Sequence, residues 1–485
     1  MKHEVVLVVD VGTSKVHANI IQIQNGALVS EAVRAIPWSH PQPEWTECDS
    51  EDIWQAVVGS VEEAIAKLDR QYKLIAVANS FQGDGFLLED KDFRALYPVI
   101  VAMDGRGVPY VRDFAEQFGA DRFMDILGCG CGPWEPMKYY WMVQNHPELI
   151  EKTAHITSVQ EYVMRRYGLG YCQDYTLASR KVMRDYKKNA WSSELCGFIG
   201  LPVSMFDSPI YPSHHICGTI RYIGHVDLGE ELPVQIGAHD CEMGMFGVGV
   251  VPGTKKVLAN VAGTTDHLGF ITKDIFPVDS DKPMCIYRGP FDGTFVALGA
   301  NAVGAATSWG VNNLFPERGD YGKTIAGLFS NITFDGKSKV VHTGGIQAAS
   351  GCFHHVNLQT TREALFKALV EGVTYPLKEI HQAMEAIAGG AFDVIRIGNG
   401  GAKSHSWVQL KADLFNTPVE TLMNNEISSV GAAILAALEL GRYDSLAEAQ
   451  SAMIHIRQQT QPIAENVNRY RERVEQWKEL SQHHL

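Results

Sequence analysis

The stretch VVLVVDVGTS (residues 5–14) decides the fold, because VLANVAGTT (residues 257–265) echoes it in the second half of the chain. Each begins as an apolar run typical of a buried strand and ends in a turn of glycine and hydroxyl residues. A second strand-like segment at residues 16–23 follows the first turn, which predicts a β-hairpin at the start of the chain. The repeat predicts two equivalent α/β units whose turns face each other across a cleft.

Helix-like segments alternate with strand-like segments along the chain. Residues 51–68 place apolar side chains on one helical stripe, and Asp49 and Ser50 supply the cap. Residues 74–78 return to a strand pattern. Alternation of this kind is typical of an α/β architecture.

The segment at residues 249–254 is rich in glycine and proline, and this composition predicts a linker. It divides the chain into predicted domains at residues 1–248 and 249–485. Near the end, residues 361–386 are predicted to be helical. Residues 463–477 predict an amphipathic terminal helix that docks onto the second domain.

Composition excludes several classes of protein. With 485 residues, 45% of them hydrophobic, the chain is long enough for two or more domains and is neither disordered nor fibrous. Its 42 Lys and Arg against 56 Asp and Glu give a net charge of −14, which disfavours a nucleic-acid partner. No apolar run approaches the roughly 20 residues that span a bilayer, so no membrane partner is expected.

The nine cysteines are scattered and contain no CxxC spacing. This pattern predicts reduced thiols, and not a structural metal site, in a cytoplasmic protein.

Two turns have the chemistry of a phosphate site. Backbone amides, hydroxyl groups and an ammonium group can surround phosphate oxygens, and Asp10 can hold Mg²⁺ through water. An ordinary β-turn explains either segment alone, but the pair favours a nucleotide. The candidate nucleotide-binding residues of these turns are Gly12, Thr13, Ser14, Lys15, Gly263, Thr264 and Thr265.

A glycine-rich turn follows the predicted strand at residues 394–397. Its spacing is not GxGxxG, which disfavours a dinucleotide fold. The flat surface of Gly400 and Gly401 can accept the face of an adenine ring. Tight packing between a strand and a helix is the alternative explanation of the same glycines.

Asp240 closes the segment Gly-Ala-His-Asp at residues 237–240. A carboxylate at the edge of a cleft can accept the proton of a hydroxyl group that attacks the γ-phosphate of ATP. An aspartate that only caps a helix fits the same pattern.

Gln82, Gly83 and Asp84 follow the strand at residues 74–78, where ligands meet the sheet of an α/β protein. Asp84 can hydrogen-bond a polyol, although turn chemistry alone also explains an Asp-Gly pair. Asp104 and Arg106 are predicted to form an ion pair that braces the site.

In this order, the segments resemble the FGGY family of carbohydrate kinases over nearly the whole chain. The most specific of them is residues 399–409, which Gly431-Ala432-Ala433 follows. The resemblance implies two actin-like (ribonuclease H-like) domains around a central cleft. It also implies a sugar and ATP with Mg²⁺ as ligands, and Asp240 as the catalytic base.

Within the family, the chain is most similar to the kinases of L-fuculose and L-rhamnulose, which implies a deoxyketohexose as the acceptor. The implied substrate-binding residues are Gln82, Gly83, Asp84, His239, Asp240 and Asn301. The alternatives are another sugar or polyol (xylulose, ribulose, gluconate or glycerol) and a catalytically silent sensor on the same fold.

Three features depart from the family pattern. Asn399 replaces the first glycine of the usual triplet, Cys241 follows the catalytic position, and residues 129–135 form an unusual segment. The sequence leaves open the phosphorylated hydroxyl, any effector and whether the chain forms a homodimer.

Overall fold

The computed structural model of the chain describes residues 2–276, 284–344 and 351–482. Among these residues, two seven-stranded sheets dominate, one in each half of the chain.

The first half contains the first sheet, three smaller sheets and nine α-helices within the described residues. Its elements are β1 (His3–Val11), β2 (Lys15–Gln22), β3 (Leu28–Ala35), β4 (Glu47–Cys48), α1 (Ser50–Ala66), β5 (Tyr72–Phe81), β6 (Gly85–Glu89), β7 (Val99–Val101), α2 (Val111–Phe114), α3 (Ala120–Leu127), α4 (Glu135–Asn145), α5 (Pro147–Ile150), β8 (His155–Ser158), α6 (Val159–Arg166), β9 (Gln173–Asp174), α7 (Tyr175–Arg180), β10 (Arg184–Asp185), β11 (Ala190–Trp191), α8 (Ser193–Ile199), β12 (Ile210–Tyr211), β13 (Ile216–Ile223), β14 (Val226–Gln235), β15 (Ala238–His239) and α9 (Asp240–Gly247).

The second half contains the second sheet, a small hairpin and the remaining helices. Its elements are β16 (Val257–Ala262), β17 (Asp266–Thr272), β18 (Met284–Arg288), β19 (Phe295–Asn301), α10 (Val303–Leu314), α11 (Tyr321–Asn331), β20 (Val341–Thr343), β21 (Cys352–His354), α12 (Arg362–Thr374), α13 (Pro376–Ala388), β22 (Val394–Gly398), α14 (His405–Phe415), β23 (Val419–Leu422), α15 (Ile427–Glu439), α16 (Leu446–Met453), β24 (Ile456–Thr460) and α17 (Ala464–Gln482).

The two large sheets repeat one arrangement. In the first, β1 pairs antiparallel with β2 and parallel with β5. In the second, β16 pairs antiparallel with β17 and parallel with β22. The predicted α/β repeat is therefore confirmed. Because parallel strands end at the same edge of a sheet, the residues that follow β1 and β5 lie close together.

Two helices join the halves at very short range. A Cβ atom on Gly247 of α9 would lie 1.8 Å from the carbonyl oxygen of Ile427 in α15. A Cβ atom on Gly431 would lie 1.8 Å from the carbonyl oxygen of Met243. Only glycine allows this approach, which fixes α9 against the second half.

Local predictions are confirmed at both ends of the chain. Asp49 caps α1 by accepting from the backbone NH of Glu51, and α17 buries Tyr470 and Val474 against the second half. The helical structure predicted for residues 361–386 is present as two consecutive helices, because α12 ends at Thr374 and Pro376 begins α13.

The Asp104–Arg106 ion pair is present, with 2.6 Å between Arg106 Nε and Asp104 Oδ1 and both side chains buried. All nine cysteines lie within the described residues and are free thiols. Within the described residues, no helix is both long enough and apolar enough to span a membrane.

Candidate active site

Three carboxylates converge where the two halves meet. Asp10 lies near the end of β1, Asp240 begins α9, and Glu426 immediately precedes α15. Burial, together with the charges of Asp240 and Glu426, raises the pKa of Asp10 to about 7. Asp10 Oδ1 is buried without a hydrogen-bond partner among the described residues, so it is free to accept from a ligand or from hydrated metal.

Asp240 is the accessible member of this group, with 37% of its side chain exposed. Its backbone carbonyl accepts a hydrogen bond of 3.0 Å from Ser428 Oγ of α15, so both halves hold the residue in place. Its Oδ1 lies 3.2 Å from His239 Nε2. The predicted base therefore faces solvent beside an imidazole and does not point into an apolar interior.

His239 is buried, and its position is fixed on three sides. Its backbone NH donates to Thr176 Oγ1 over 3.0 Å, and its Nδ1 lies 2.8 Å from Glu242 Oε2. A Cβ atom on Gly83 would lie 2.4 Å from His239 Nε2, so the imidazole occupies the space that a side chain at position 83 would need. Burial alone would lower the pKa of His239, but the charges around it, Glu242 first, raise it well above its usual value.

Asp84 forms a bidentate ion pair with Arg180, the last residue of α7. The Arg180 Nε–Asp84 Oδ1 distance is 2.9 Å, and the Nη2–Oδ2 distance is 2.6 Å. Burial would raise the pKa of Asp84, but the Arg180 guanidinium holds it below its usual value. Asp84 is thus an ionised acceptor in a fixed orientation.

Gln82 lies beside this pair and is almost completely buried. Neither its amide nitrogen nor its amide oxygen has a hydrogen-bond partner among the described residues. A buried donor and acceptor left unpaired are costly, and the hydroxyl groups of a polyol would satisfy both.

The unusual segment at residues 129–135 leads into α4 beside the Asp84–Arg180 ion pair. Glu135 is buried, its Oε1 lies 3.3 Å from Lys138 Nζ, and its Oε2 has no partner among the described residues. Burial raises the pKa of Glu135, and the charge of Asp84 adds to this rise. Sequence reasoning noted Glu135 without a role, and it missed Lys138.

Each of the two predicted phosphate turns is closed by a backbone hydrogen bond from its glycine. Gly12 NH donates to the Lys15 carbonyl, and Gly263 NH donates to the Thr265 carbonyl, both over 3.0 Å. The N-terminus of α10 packs on the second turn, where Ala305 NH donates 2.8 Å to the Thr264 carbonyl.

The adenosine-motif glycines differ in their surroundings. A Cβ atom on Gly401 would lie 2.5 Å from Ala262 Cβ, whereas one on Gly400 would find only the Ala262 carbonyl at 3.9 Å. Gly401 is therefore needed for packing, and Gly400 presents an open surface.

Asn301 lies on the second sheet and has a partner in the second half of the chain. It ends β19, and its amide donates 2.6 Å to the carbonyl of Val373 in α12. Within the described residues, no hydrogen bond or ion pair joins Asn301 to Asp84, Arg180 or His239. Its contact with a sugar stays a prediction.

Comparison with known proteins identifies the family. Residues 5–247 match the N-terminal domain of the FGGY family of carbohydrate kinases, and residues 323–440 match its C-terminal domain. The chain belongs to the FGGY family. It is therefore a sugar kinase, a phosphotransferase with an alcohol group as acceptor, and its phosphoryl donor is ATP with Mg²⁺.

Relatives of this FGGY kinase span its whole length. A xylulose kinase from Bacillus subtilis is 26% identical, over 99% of this chain and 97% of the relative. A glycerol kinase from Saccharolobus islandicus is 25% identical, over 92% of this chain and 90% of the relative.

Solved structures confirm the actin-like fold. A gluconate kinase from Lactobacillus acidophilus superposes with a TM-score of 0.86 at 19% identity, covering 99% of this chain and 98% of that one. A glycerol kinase from Plasmodium falciparum with ADP superposes with a TM-score of 0.84 at 20% identity and the same coverage.

The carboxylate group fits the Mg²⁺ that FGGY kinases use. Mg²⁺ prefers oxygen ligands and retains several water molecules, and Asp10 offers a buried carboxylate oxygen without a partner among the described residues. When bound, Mg²⁺ supplies positive charge that offsets the charge of the phosphates. Asp10 would hold it through water.

Asn399, which replaces a glycine of the FGGY motif, carries a strained backbone. Its φ of 61° and ψ of −151° lie in a region that is almost restricted to glycine. We expect Asn399→Gly to relieve this strain. Asn416, with φ 55° and ψ 41°, lies in the left-handed region that asparagine tolerates and is the matched control.

Urea unfolding of Asn399→Gly and Asn416→Gly checks this prediction. Both substitutions add the same flexibility to the unfolded chain, so the difference between them isolates the strain. The free energy of unfolding of Asn399→Gly should exceed that of Asn416→Gly by about 1–3 kcal/mol. Equal free energies of unfolding for the two variants would contradict the prediction that the Asn399 backbone is strained.

Proposed function

We propose that this FGGY kinase phosphorylates a hydroxyl group of a neutral ketose, with Asp240 as the general base. The observation that carries this proposal is the placement of Asp240, 37% exposed, between the Asp10 carboxylate and the buried imidazole of His239. The hydroxyl proton passes to Asp240 as the hydroxyl oxygen bonds to the γ-phosphorus and the bond to the ADP oxygen breaks.

The charges of the pocket support a neutral acceptor. Asp84 is paired with Arg180, and Glu135 is paired with Lys138, so no buried cation of this group is free for the carboxylate of a sugar acid. Gln82 and Glu135 each have buried polar atoms without a partner among the described residues, and hydroxyl groups are suited to both.

A deoxyketohexose such as L-fuculose or L-rhamnulose is the acceptor we propose. Thiols and an indole line the wall next to Arg180, where Cys129 forms an isolated β-bridge with Cys285 and the Trp134 ring centre lies 6.0 Å from the guanidinium carbon. A methyl group suits this wall better than a hydroxymethyl group does. D-Xylulose is the second candidate, favoured by the 26% identical xylulose kinase.

An assay that couples ADP release to substrate addition tests the acceptor. We expect kcat/KM for L-fuculose or L-rhamnulose to exceed that for D-xylulose by about 10- to 200-fold, the usual worth of a methyl-sized contact. Cys129→Ser should reduce this ratio, whereas Cys196→Ser, a buried thiol in α8, should not. A higher kcat/KM for D-xylulose would overturn the deoxyketohexose assignment and retain the ketose kinase.

The remaining site assignments belong to the same proposal. The two turns, with Gly400 and Gly401, bind ATP, and the domain boundary lies between residues 248 and 249. The location is cytoplasmic. A homodimer stays a prediction, and analytical ultracentrifugation is its test.

A further inference from the structure

Glu242 is a fully buried carboxylate within the first turn of α9, two residues after the proposed base. Its two oxygens have different partners. Oε1 accepts a hydrogen bond from the hydroxyl of Tyr287, and Oε2 lies 2.8 Å from His239 Nδ1. A buried charge needs such partners to be tolerated, so these contacts define its position.

The contacts continue through the imidazole to Asp240. His239 Nε2, the ring nitrogen opposite the one facing Glu242, lies 3.2 Å from Asp240 Oδ1. The chain of groups is therefore the phenol of Tyr287, the carboxylate of Glu242, the imidazole of His239 and the carboxylate of Asp240. The titratable or charged groups that face His239 are Glu242, Asp240, Cys241, Asp84 and His267.

We propose that Glu242, held by Tyr287, is a positioning residue that keeps His239 as an imidazolium beside Asp240. This inference rests on the proposed role of Asp240 as base. Glu242 does not reach the reacting atoms, because the imidazole lies between it and Asp240.

The charges at the site explain why a cation is needed there. Asp240 shares its surroundings with Asp10 and Glu426, and ATP adds the charge of its phosphates. The His239 imidazolium beside Asp240 Oδ1 offsets the repulsion among these negative charges. Asp240 Oδ2 is left to receive the hydroxyl proton. Glu242 stabilises the protonated ring in turn, as carboxylate partners do for functional histidines.

The hydrogen bond between Tyr287 and Glu242 also joins the two halves of the enzyme. Glu242 and His239 belong to the first half, whereas Tyr287 lies on β18 of the second sheet. The orientation of the base therefore depends on a side chain from the opposite half.

Glu242→Gln tests the proposal, because glutamine keeps the shape and removes the charge. We expect kcat to fall by about 10- to 100-fold with KM for the sugar changed less than about twofold, as for loss of an interaction made in the transition state. Since loss of the Glu242 charge lowers the pKa of His239, kcat of the variant should begin to fall at a lower pH than kcat of the native enzyme as the pH rises. Tyr287→Phe should give a smaller change in the same direction.

Glu371 and Tyr470 provide matched controls. Glu371 is also buried and accepts a hydrogen bond of 2.9 Å from the Tyr470 hydroxyl, but this pair joins α12 to α17. Glu371→Gln and Tyr470→Phe should lower the melting temperature and leave the pH dependence of kcat as in the native enzyme. A Glu242→Gln profile that matches these controls would overturn the inference.

NMR titration of the His239 ring in the ligand-free protein separates this inference from the proposed function. The pKa of the ring should lie well above the usual histidine value in the native protein and should fall in Glu242→Gln, because the charge of Glu242 is the largest of those that raise it. If the native ring titrates near 6.5, the positioning role fails even where Asp240 is the base. If Asp240→Asn retains activity, the proposed function fails regardless of the titration.

Discussion

Asp240→Asn should lower kcat by about 100- to 10,000-fold, the usual contribution of a positioned general base, while KM for the sugar changes little. Asparagine matches aspartate in shape but cannot accept the hydroxyl proton. Because 37% of the Asp240 side chain is exposed and the bond from Ser428 reaches its backbone carbonyl, the substitution should leave the fold intact.

The coupled ADP assay measures this effect, and thermal unfolding verifies the fold of the variant. Asp121→Asn is the matched control, because Asp121 is also an aspartate in the first turn of a helix but is exposed on α3. Its kcat should equal that of the native enzyme. If Asp240→Asn keeps kcat within about tenfold of the native value, Asp240 is not the base.

The sequence predicts the fold well because the fold depends on local patterns. The strand of residues 5–9, the hairpin and their echo at residue 257 are visible as apolar runs that end in glycine turns. The helical prediction for residues 361–386 also holds, although the apolar pattern does not reveal that α12 ends before Pro376, because proline is tolerated at the first position of a helix.

The site is less predictable, because its side chains acquire their roles from distant partners. Asp84 fits an ordinary Asp-Gly turn, and only the structure pairs it with Arg180, 96 positions along the chain. Glu242 lies in a helix of small residues, and no sequence feature near it predicts its hydrogen bond with Tyr287. Glu426 precedes α15 without a motif of its own. Asp10 and Asp240 could be predicted from the sequence, because they end recognisable strand and turn segments.

The Asp84–Arg180 pair leads to the second large effect. Their side chains are 17% and 11% exposed, so Asp84→Asn leaves a buried guanidinium without its charge partner. We expect the free energy of unfolding to fall by about 3–5 kcal/mol, as for a broken buried ion pair. Sugar KM should rise at least about tenfold, because both the acceptor oxygen and the orientation of Arg180 are lost.

Arg221 and Asp227 form the matched exposed pair, bidentate at 3.0 and 3.1 Å with both side chains 45% exposed. Asp227→Asn should leave the free energy of unfolding nearly unchanged and KM unchanged, because exposed ion pairs contribute little. The double variant Asp84→Leu with Arg180→Met separates stability from function, because apolar replacement of both partners removes the unpaired charge. Urea unfolding of the double variant should then show a recovered free energy of unfolding, while the sugar KM stays high. If the sugar KM also returned to the native value, the ion pair would only support the fold.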